Sequence, residues 1–218
     1  GNANDDTRNY DGTASNVTYE YGLGFTPDLV WIKDRGTAEQ HILNDSTRGA
    51  TKDLSSNTTA AEATRTTGFL SFDTGGFTLG SDGGGVVNDP TRGPYVAWCW
   101  KANGGTTSTN NDGNQTSTVQ ANQDAGFSIV TYTASSPAAN EDTIGHGLDA
   151  APDLVIRKRT DSTGVWVVET NVTGSFIAFE GLNNDNAASS STNSFTSTTM
   201  QTRNGTPGRT FVFYTFKS

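Results

Sequence analysis

The residues with the plainest chemical potential are oxygen donors around a glycine-rich loop. Asp82, Asn88 and Asp89 lie in or beside Gly80-Ser-Asp-Gly-Gly-Gly-Val-Val-Asn-Asp89, and Asp73 stands just ahead of it. Hard oxygen ligands on a flexible loop suit calcium. The spacing does not follow the EF-hand pattern, and Asp, Asn and Gly are also ordinary turn material. Calcium at Asp82, Asn88 and Asp89 is the one metal these residues admit, and no other cofactor is expected.

Other chemistries find less support. The carboxylates Glu39, Asp45, Glu169 and Glu180 are scattered, whereas a glycosidase needs two acidic groups flanking one bond. His41 and His146 are isolated and lack metal-pair spacing, and Cys99 is the only cysteine, so neither a familiar zinc site nor an intramolecular disulfide can form. Cys99 lies inside the apolar run Tyr95-Val-Ala-Trp-Cys-Trp100, where a thiol serves as packing. No nucleophile elbow, phosphate loop or His-Glu-x-x-His occurs. The chain reads as a non-enzyme. Trp31, Trp98, Trp100 and Trp166 could stack on sugar rings, but their placement in apolar strands favours a role in the cores.

The chain must position these residues with strands. It has 218 residues, of which 32% are hydrophobic and 10% aromatic. That aromatic share argues against disorder, while abundant Thr, Ser, Asn and Gly disfavour helix interiors. No segment carries apolar residues at helical spacing over three turns. The net charge of -9 and the lack of Lys/Arg clusters exclude a nucleic-acid backbone as partner. No apolar run is long enough to span a membrane, so no membrane insertion is expected.

An internal repeat sets the organisation. Tyr21-Gly-Leu-Gly-Phe-Thr-Pro-Asp-Leu-Val-Trp-Ile-Lys33 aligns without a gap on His146-Gly-Leu-Asp-Ala-Ala-Pro-Asp-Leu-Val-Ile-Arg-Lys158. Downstream, Thr47-Arg48-Gly49 falls opposite Thr173-Gly174, and Ser71-Phe72 opposite Ser194-Phe195. Both copies close on an aromatic run and a lysine, Tyr95-Val-Ala-Trp-Cys-Trp-Lys101 and Phe211-Val-Phe-Tyr-Thr-Phe-Lys217. Pro27 and Pro152 sit at the mouths of strands, where a missing N–H costs least. Asp28 and Asp153 are placed to cap the preceding turn. The expected fold is all-β, with two tandem antiparallel β-sandwich, jelly-roll-like repeats. The first spans residues 1–103 and the second 123–218, joined by a Gly/Thr/Asn-rich linker over 104–122.

The first copy resembles a repeat found in structural proteins of marine bacteriophages, cyanophages among them. The resemblance rests on Tyr21-Gly-Leu-Gly-Phe-Thr-Pro-Asp-Leu-Val-Trp-Ile-Lys33, Leu54-Ser-Ser-Asn-Thr-Thr-Ala-Ala-Glu62, Gly76-Phe-Thr-Leu-Gly-Ser-Asp82 and Tyr95-Val-Ala-Trp-Cys-Trp-Lys-Ala102, in that order. The second copy follows it less closely, because the Gly-Phe-Thr-Leu-Gly-Ser-Asp segment has no good counterpart there. The resemblance implies a β-sandwich part of a virion surface, tail fibre, head fibre or decoration protein. It brings no catalytic residues. A carbohydrate-binding lectin-like module is the alternative, and a glycan depolymerase a more remote one.

One asymmetry points to partners. The second copy opens with the strand Gly126-Phe-Ser-Ile-Val-Thr-Tyr-Thr133, but the first has no equivalent within this sequence, so its sheet edge needs cover. A strand added from another copy or another virion subunit would cover it. The alternatives are a strand from a longer parent chain, or residues 1–16 folding back. Host-surface glycan is the other expected partner.

Overall fold

Short runs rich in Val, Ile, Phe, Tyr and Thr, punctuated by Gly and Pro, form seventeen strands in the computed structural model, with no helix among the described residues. Those residues are 22–81, 86–135, 142–170, 177–180, 182–183, 189–190, 193–202 and 206–218. The chain is all-β, and its named strands pair antiparallel throughout.

In the first half, β1 (Leu29–Asp34), β2 (His41–Asp45), β3 (Lys52–Ser55) and β4 (Ala63–Thr64) form a meander, and β5 (Phe69–Asp73) and β6 (Gly76–Leu79) form a hairpin. β7 (Tyr95–Trp100) then returns beside β1, giving a five-stranded sheet ordered β4-β3-β2-β1-β7. The second half contributes β8 (Ser108–Asn110), β9 (Ser117–Asn122), β10 (Phe127–Thr133), β11 (Thr143–Gly145), β12 (Leu154–Arg159), β13 (Val167–Thr170), β14 (Ile177–Glu180), β15 (Ser189–Ser190), β16 (Thr199–Gln201) and β17 (Thr210–Phe216). Eight of these form one sheet, ordered β15-β14-β13-β12-β17-β10-β9-β8, while β11 and β16 pair separately.

The pairings of the two halves fall at equivalent positions. Leu29 faces Trp100 and Asp45, and Leu154 faces Phe216 and Thr170. Asp34 opposes Tyr95 as Arg159 opposes Phe211, so the aromatic runs align as their sequences do. The register persists outward, where Leu43 faces Leu54 as Val168 faces Phe179, and Lys52 faces Thr64 as Ile177 faces Ser190. Even the irregularity at the strand mouth recurs. The amide of Asp28 donates to Trp100 O, and that of Asp153 to Phe216 O, both at 2.7 Å. Each places two residues opposite one, as in a bulge. Phe72 pairs with Phe77 as Phe195 bridges to Met200, so the Ser-Phe alignment of the two sequences carries into pairing. Residues 173 and 174 lie outside the described residues.

Alternation along the strands gives each sheet two apolar faces. One face of the first sheet, Val30, Ile32 and Ile42, packs with Phe69, Val86 and Val87 from the β5–β6 side. The corresponding face of the second sheet, Val155, Val130, Tyr132, Phe211 and Phe213, packs with Ile144, Phe195 and Met200 of the β11–β16 side. The remaining faces pack against each other. Leu29, Leu43 and Leu54 of the first half meet Ile129, Ile156, Trp166, Val212 and Tyr214 of the second.

Residues 104–122, expected to be a Gly/Thr/Asn-rich linker, carry β8 and β9, which extend the eight-stranded sheet beyond β10. The tryptophans do not divide between two separate cores. Trp166 is fully buried between the halves, Trp31 and Trp100 pack against that shared core, and Trp98 is 46% exposed.

Candidate functional site

The glycine-rich loop uses its polar groups internally. Asn88 has a φ of 63° and donates from Nδ2 to Gly80 O at 2.8 Å. Asp89 accepts on Oδ1 from the amide and hydroxyl of Thr91 at 2.8 and 2.7 Å, and Arg92 Nε lies 3.4 Å from its Oδ2. The Asp89 amide donates to Tyr95 Oη at 3.0 Å, which ties the loop to β7. Asp82 lies outside the described residues. No group of three or more His, Cys, Asp or Glu placed to hold a metal occurs among the described residues. Asp89 thus caps the turn at Thr91 with Arg92 as counter-ion, and Asn88 ties the far end of the loop back to Gly80.

The scattered carboxylates meet different partners. Glu39 pairs with Arg92 at the surface. Glu169 is buried beside Arg157 and accepts from Asn193 Nδ2 at 2.5 Å. Asp45 is fully buried at the seam between the halves. It accepts from Arg48 Nε at 2.6 Å and from Tyr214 Oη at 2.8 Å. Arg48 also donates to Glu62 Oε2 at 2.9 Å and to Lys52 O at 3.1 Å. Burial works against its charge, but Asp45, Tyr214 and Glu62 more than compensate and hold the guanidinium protonated. Burial and the Asp45 charge push the Tyr214 hydroxyl well above its ordinary range. This knot fastens β17 of one half to the β2–β3 turn of the other. The side chain of Glu180 is not among those described.

His146 is also structural. Its ring is buried, Nε2 contacts Thr196 O at 3.2 Å and Nδ1 accepts from the Leu148 amide at 3.2 Å, and burial lowers its pKa. Burial raises the Cys99 thiol to about 11, which keeps it unreactive at neutral pH.

The strand-mouth aspartates depart from the turn-capping expectation. Asp28 is fully buried and reaches across the sheet rather than back to its own turn. It accepts from Ser46 Oγ at 2.6 Å and from the amides of Ala102, Gly104 and Gly105 at 2.7, 2.9 and 2.7 Å. Gly104 and Gly105 both have positive φ, so glycine lets the amides turn inward onto the carboxylate. Asp153 accepts from the equivalent amide, that of Ser218, at 2.7 Å. Asp28 therefore fixes the turn through which the first half enters the second, a role that only the paired registers reveal.

Residues 4–218 match the family model described as DUF7483, a domain of unknown function. The chain belongs to this family. No curated protein and no solved structure matches it. The match runs across both halves, so the DUF7483 domain is defined on the pair of them.

Within the DUF7483 domain, the described residues of the two halves differ at β7. Its counterpart β17 is flanked by β12 on one side and β10 on the other. β7 pairs with β1, and no described strand lies on its other side. Arg35 donates to Pro94 O, which sets the alternation along the pair. The N–H groups of Val96, Trp98 and Trp100 therefore face β1, and those of Tyr95, Ala97 and Cys99 face outward. Ala97 and Trp98 are exposed here, and Trp98 meets Trp31 edge-on at 6.1 Å between ring centroids.

Proposed function

We propose that this chain is a non-enzymatic structural and adhesive component of an extracellular assembly. A fibre, tail or decoration protein on a phage virion surface is its form, built from two tandem β-sandwich repeats of jelly-roll type. The outer edge of β7 carries the reading. In the second half the equivalent edge of β17 is covered by β10 over seven residue pairs, Phe127 to Phe216 through Thr133 to Thr210. A strand supplied by a neighbouring copy or another virion subunit would join β7 in the same way, through outward N–H and C=O groups. Trp98 would then gain the cover that its exposure lacks. The acidic groups support the same reading, because Asp28, Asp45, Asp89 and Glu169 are committed to internal hydrogen bonds. Rigid paired sheets suit mechanical display of loops to a host surface.

Ala97→Pro tests it. The substitution removes an outward N–H, leaves the β1–β7 hydrogen bonds intact and falls on an edge, where proline is tolerated. Sedimentation velocity over a concentration series should show wild-type oligomers and monomeric Ala97→Pro. Wild-type protein that stays monomeric at the highest concentration, with the Ala97 and Cys99 amides already protected from exchange, would overturn assembly through β7.

A further inference from the structure

The face of the eight-stranded sheet that packs on the first half changes character along its length. Successive rows across β9, β10, β17 and β12 can be followed by register. Asn122, Phe127, Phe216 and Leu154 form one row, and Gln120, Ile129, Tyr214 and Ile156 the next. Both lie against the first half, where Phe127, Ile129, Ile156 and Tyr214 join its leucines and Gln120 Nε2 reaches Ser46 and Thr47 at 2.9 and 2.8 Å. The third row begins Thr118, Thr131 and Val212, and the fourth holds Thr133 and Thr210 beside Thr160. Thr109 opposes Thr118 on β8, and Thr116 precedes Thr118 on the same alternation.

On the β9 and β10 side the described residues leave these rows uncovered, while Val212 on the third row stays in the core between the halves. A groove of about 460 Å³ is lined by Thr116, Thr118, Thr131, Thr133 and Thr210 together with Gln115 and Tyr132. That volume falls within the range of small-ligand sites, about 300–1,000 Å³. None of the lining residues is charged. The neighbouring Arg209 is neutralised by Asp161 at 2.9 Å. Some lining hydroxyls already have partners, since Thr116 donates to Asn111 Oδ1 at 2.9 Å and Thr210 meets Thr160 at 2.7 Å. The hydroxyls of Thr118, Thr131 and Thr133 have no hydrogen-bond partner among the described residues. Each can donate once and accept twice. Adjacent strands repeat them at about 4.8 Å, with a methyl group beside every hydroxyl.

We infer that this groove is a binding site for a neutral saccharide. A sugar ring presents hydroxyls that both donate and accept, and C–H patches between them. Threonines in register across several strands offer both surfaces in the same alternation. An acidic or phosphorylated ligand would find no cation in the lining, and a cationic one no carboxylate. The inference deepens the adhesive side of the function proposed above by naming its ligand class, and it does not depend on assembly through β7.

The test titrates the full chain by calorimetry with neutral hexasaccharides of glucose, mannose and galactose, and with an oligogalacturonate of equal length as charged control. Thr118→Val with Thr131→Val keeps β-branched shape while removing two hydroxyls. At least one neutral hexasaccharide should bind the wild type, and the double variant should bind it about tenfold more weakly or worse. Ala97→Pro should bind as the wild type does, which separates this site from the assembly edge. Failure of all three neutral probes, preference for the uronate, or unchanged affinity in the double variant would overturn the inference. If the double variant does not fold, methyl NMR of the wild type decides. Saccharide must shift the Thr118, Thr131 and Thr133 methyls, and shifts confined to other residues refute the site.

Discussion

Replacing Asp28 by Ala should be far more damaging than replacing Asp153, although the two occupy the same place in the two halves. Asp28 is fully buried and accepts four hydrogen bonds. Two of its donors are not stranded when the carboxylate goes. The Gly105 amide retains Gln120 Oε1 at 2.9 Å, and the half-buried Ser46 hydroxyl, which accepts from Gln120 Nε2, can turn its own proton to water. The Ala102 and Gly104 amides have no second acceptor among the described residues. A hydrogen bond to a charged group contributes about 1.5–3 kcal/mol. The Ala102 amide is buried and the Gly104 amide is exposed and can turn to water, so the cost should be about 2–4 kcal/mol. Asp153 receives one exposed bond from Ser218, and its loss should cost less than about 1 kcal/mol. Urea unfolding followed by tryptophan fluorescence reads both, since Trp100 and Trp166 lie in or against the core between the halves. Equal losses in the two variants, or a loss below about 1 kcal/mol for Asp28→Ala, would refute the role given to this carboxylate.

Three further outcomes follow from buried polar groups. Tyr214→Phe leaves Asp45 short of one donor and should cost about 1.5–3 kcal/mol in the same urea assay, whereas a neutral result would mean that the Asp45–Arg48–Glu62 pairing suffices. Lys158 is buried with its ammonium on Thr59 O and Gly164 O, and burial lowers its pKa from 10.5 to about 8. Between those values the unfolded chain binds more protons than the native one, so stability should rise with pH by up to about 3 kcal/mol relative to Lys158→Met, which cannot titrate. Parallel pH profiles of the two proteins would contradict this. His146 has a folded pKa below its ordinary 6.5, so its contribution is full above about pH 6.5 and falls as the pH drops below that. Ring NMR should find it titrating below 6.5, with the proton of the neutral form on Nε2, and a titration at or above 6.5 would contradict its burial.

The repeat was legible because its strongest signals are covalent or apolar. Proline at a strand mouth and the runs ending in Trp100 and Phe216 survive in both copies, and they sit at equivalent registers. The counterpart of β6 in the second half was not legible, since Met200 of β16 stands where the first half has Phe77, and only pairing reveals the equivalence. β8 and β9 were missed for a different reason. Ser, Thr and Asn dominate them, and strand propensity is set by neighbours as much as by composition. Alternation showed that each strand has two faces but not what covers each, so the core between the halves was invisible. The same limit hid the threonine groove, whose lining comes from β9, β10 and β17 and becomes a site only when those strands are in register. Asn88 and Asp89 were legible as oxygen donors on a loop, but their hydrogen bonds, from Asn88 to Gly80 O and from Thr91 to Asp89, were not.

The claim that this chain builds an assembly through the edge of β7 is tested most directly by electron cryomicroscopy of the native particle that contains it. The account predicts an added strand hydrogen-bonded along the outer side of β7, about 4.8 Å away, with Trp98 covered. A resolved particle in which Tyr95, Ala97 and Cys99 face solvent, and subunits meet elsewhere, would contradict it.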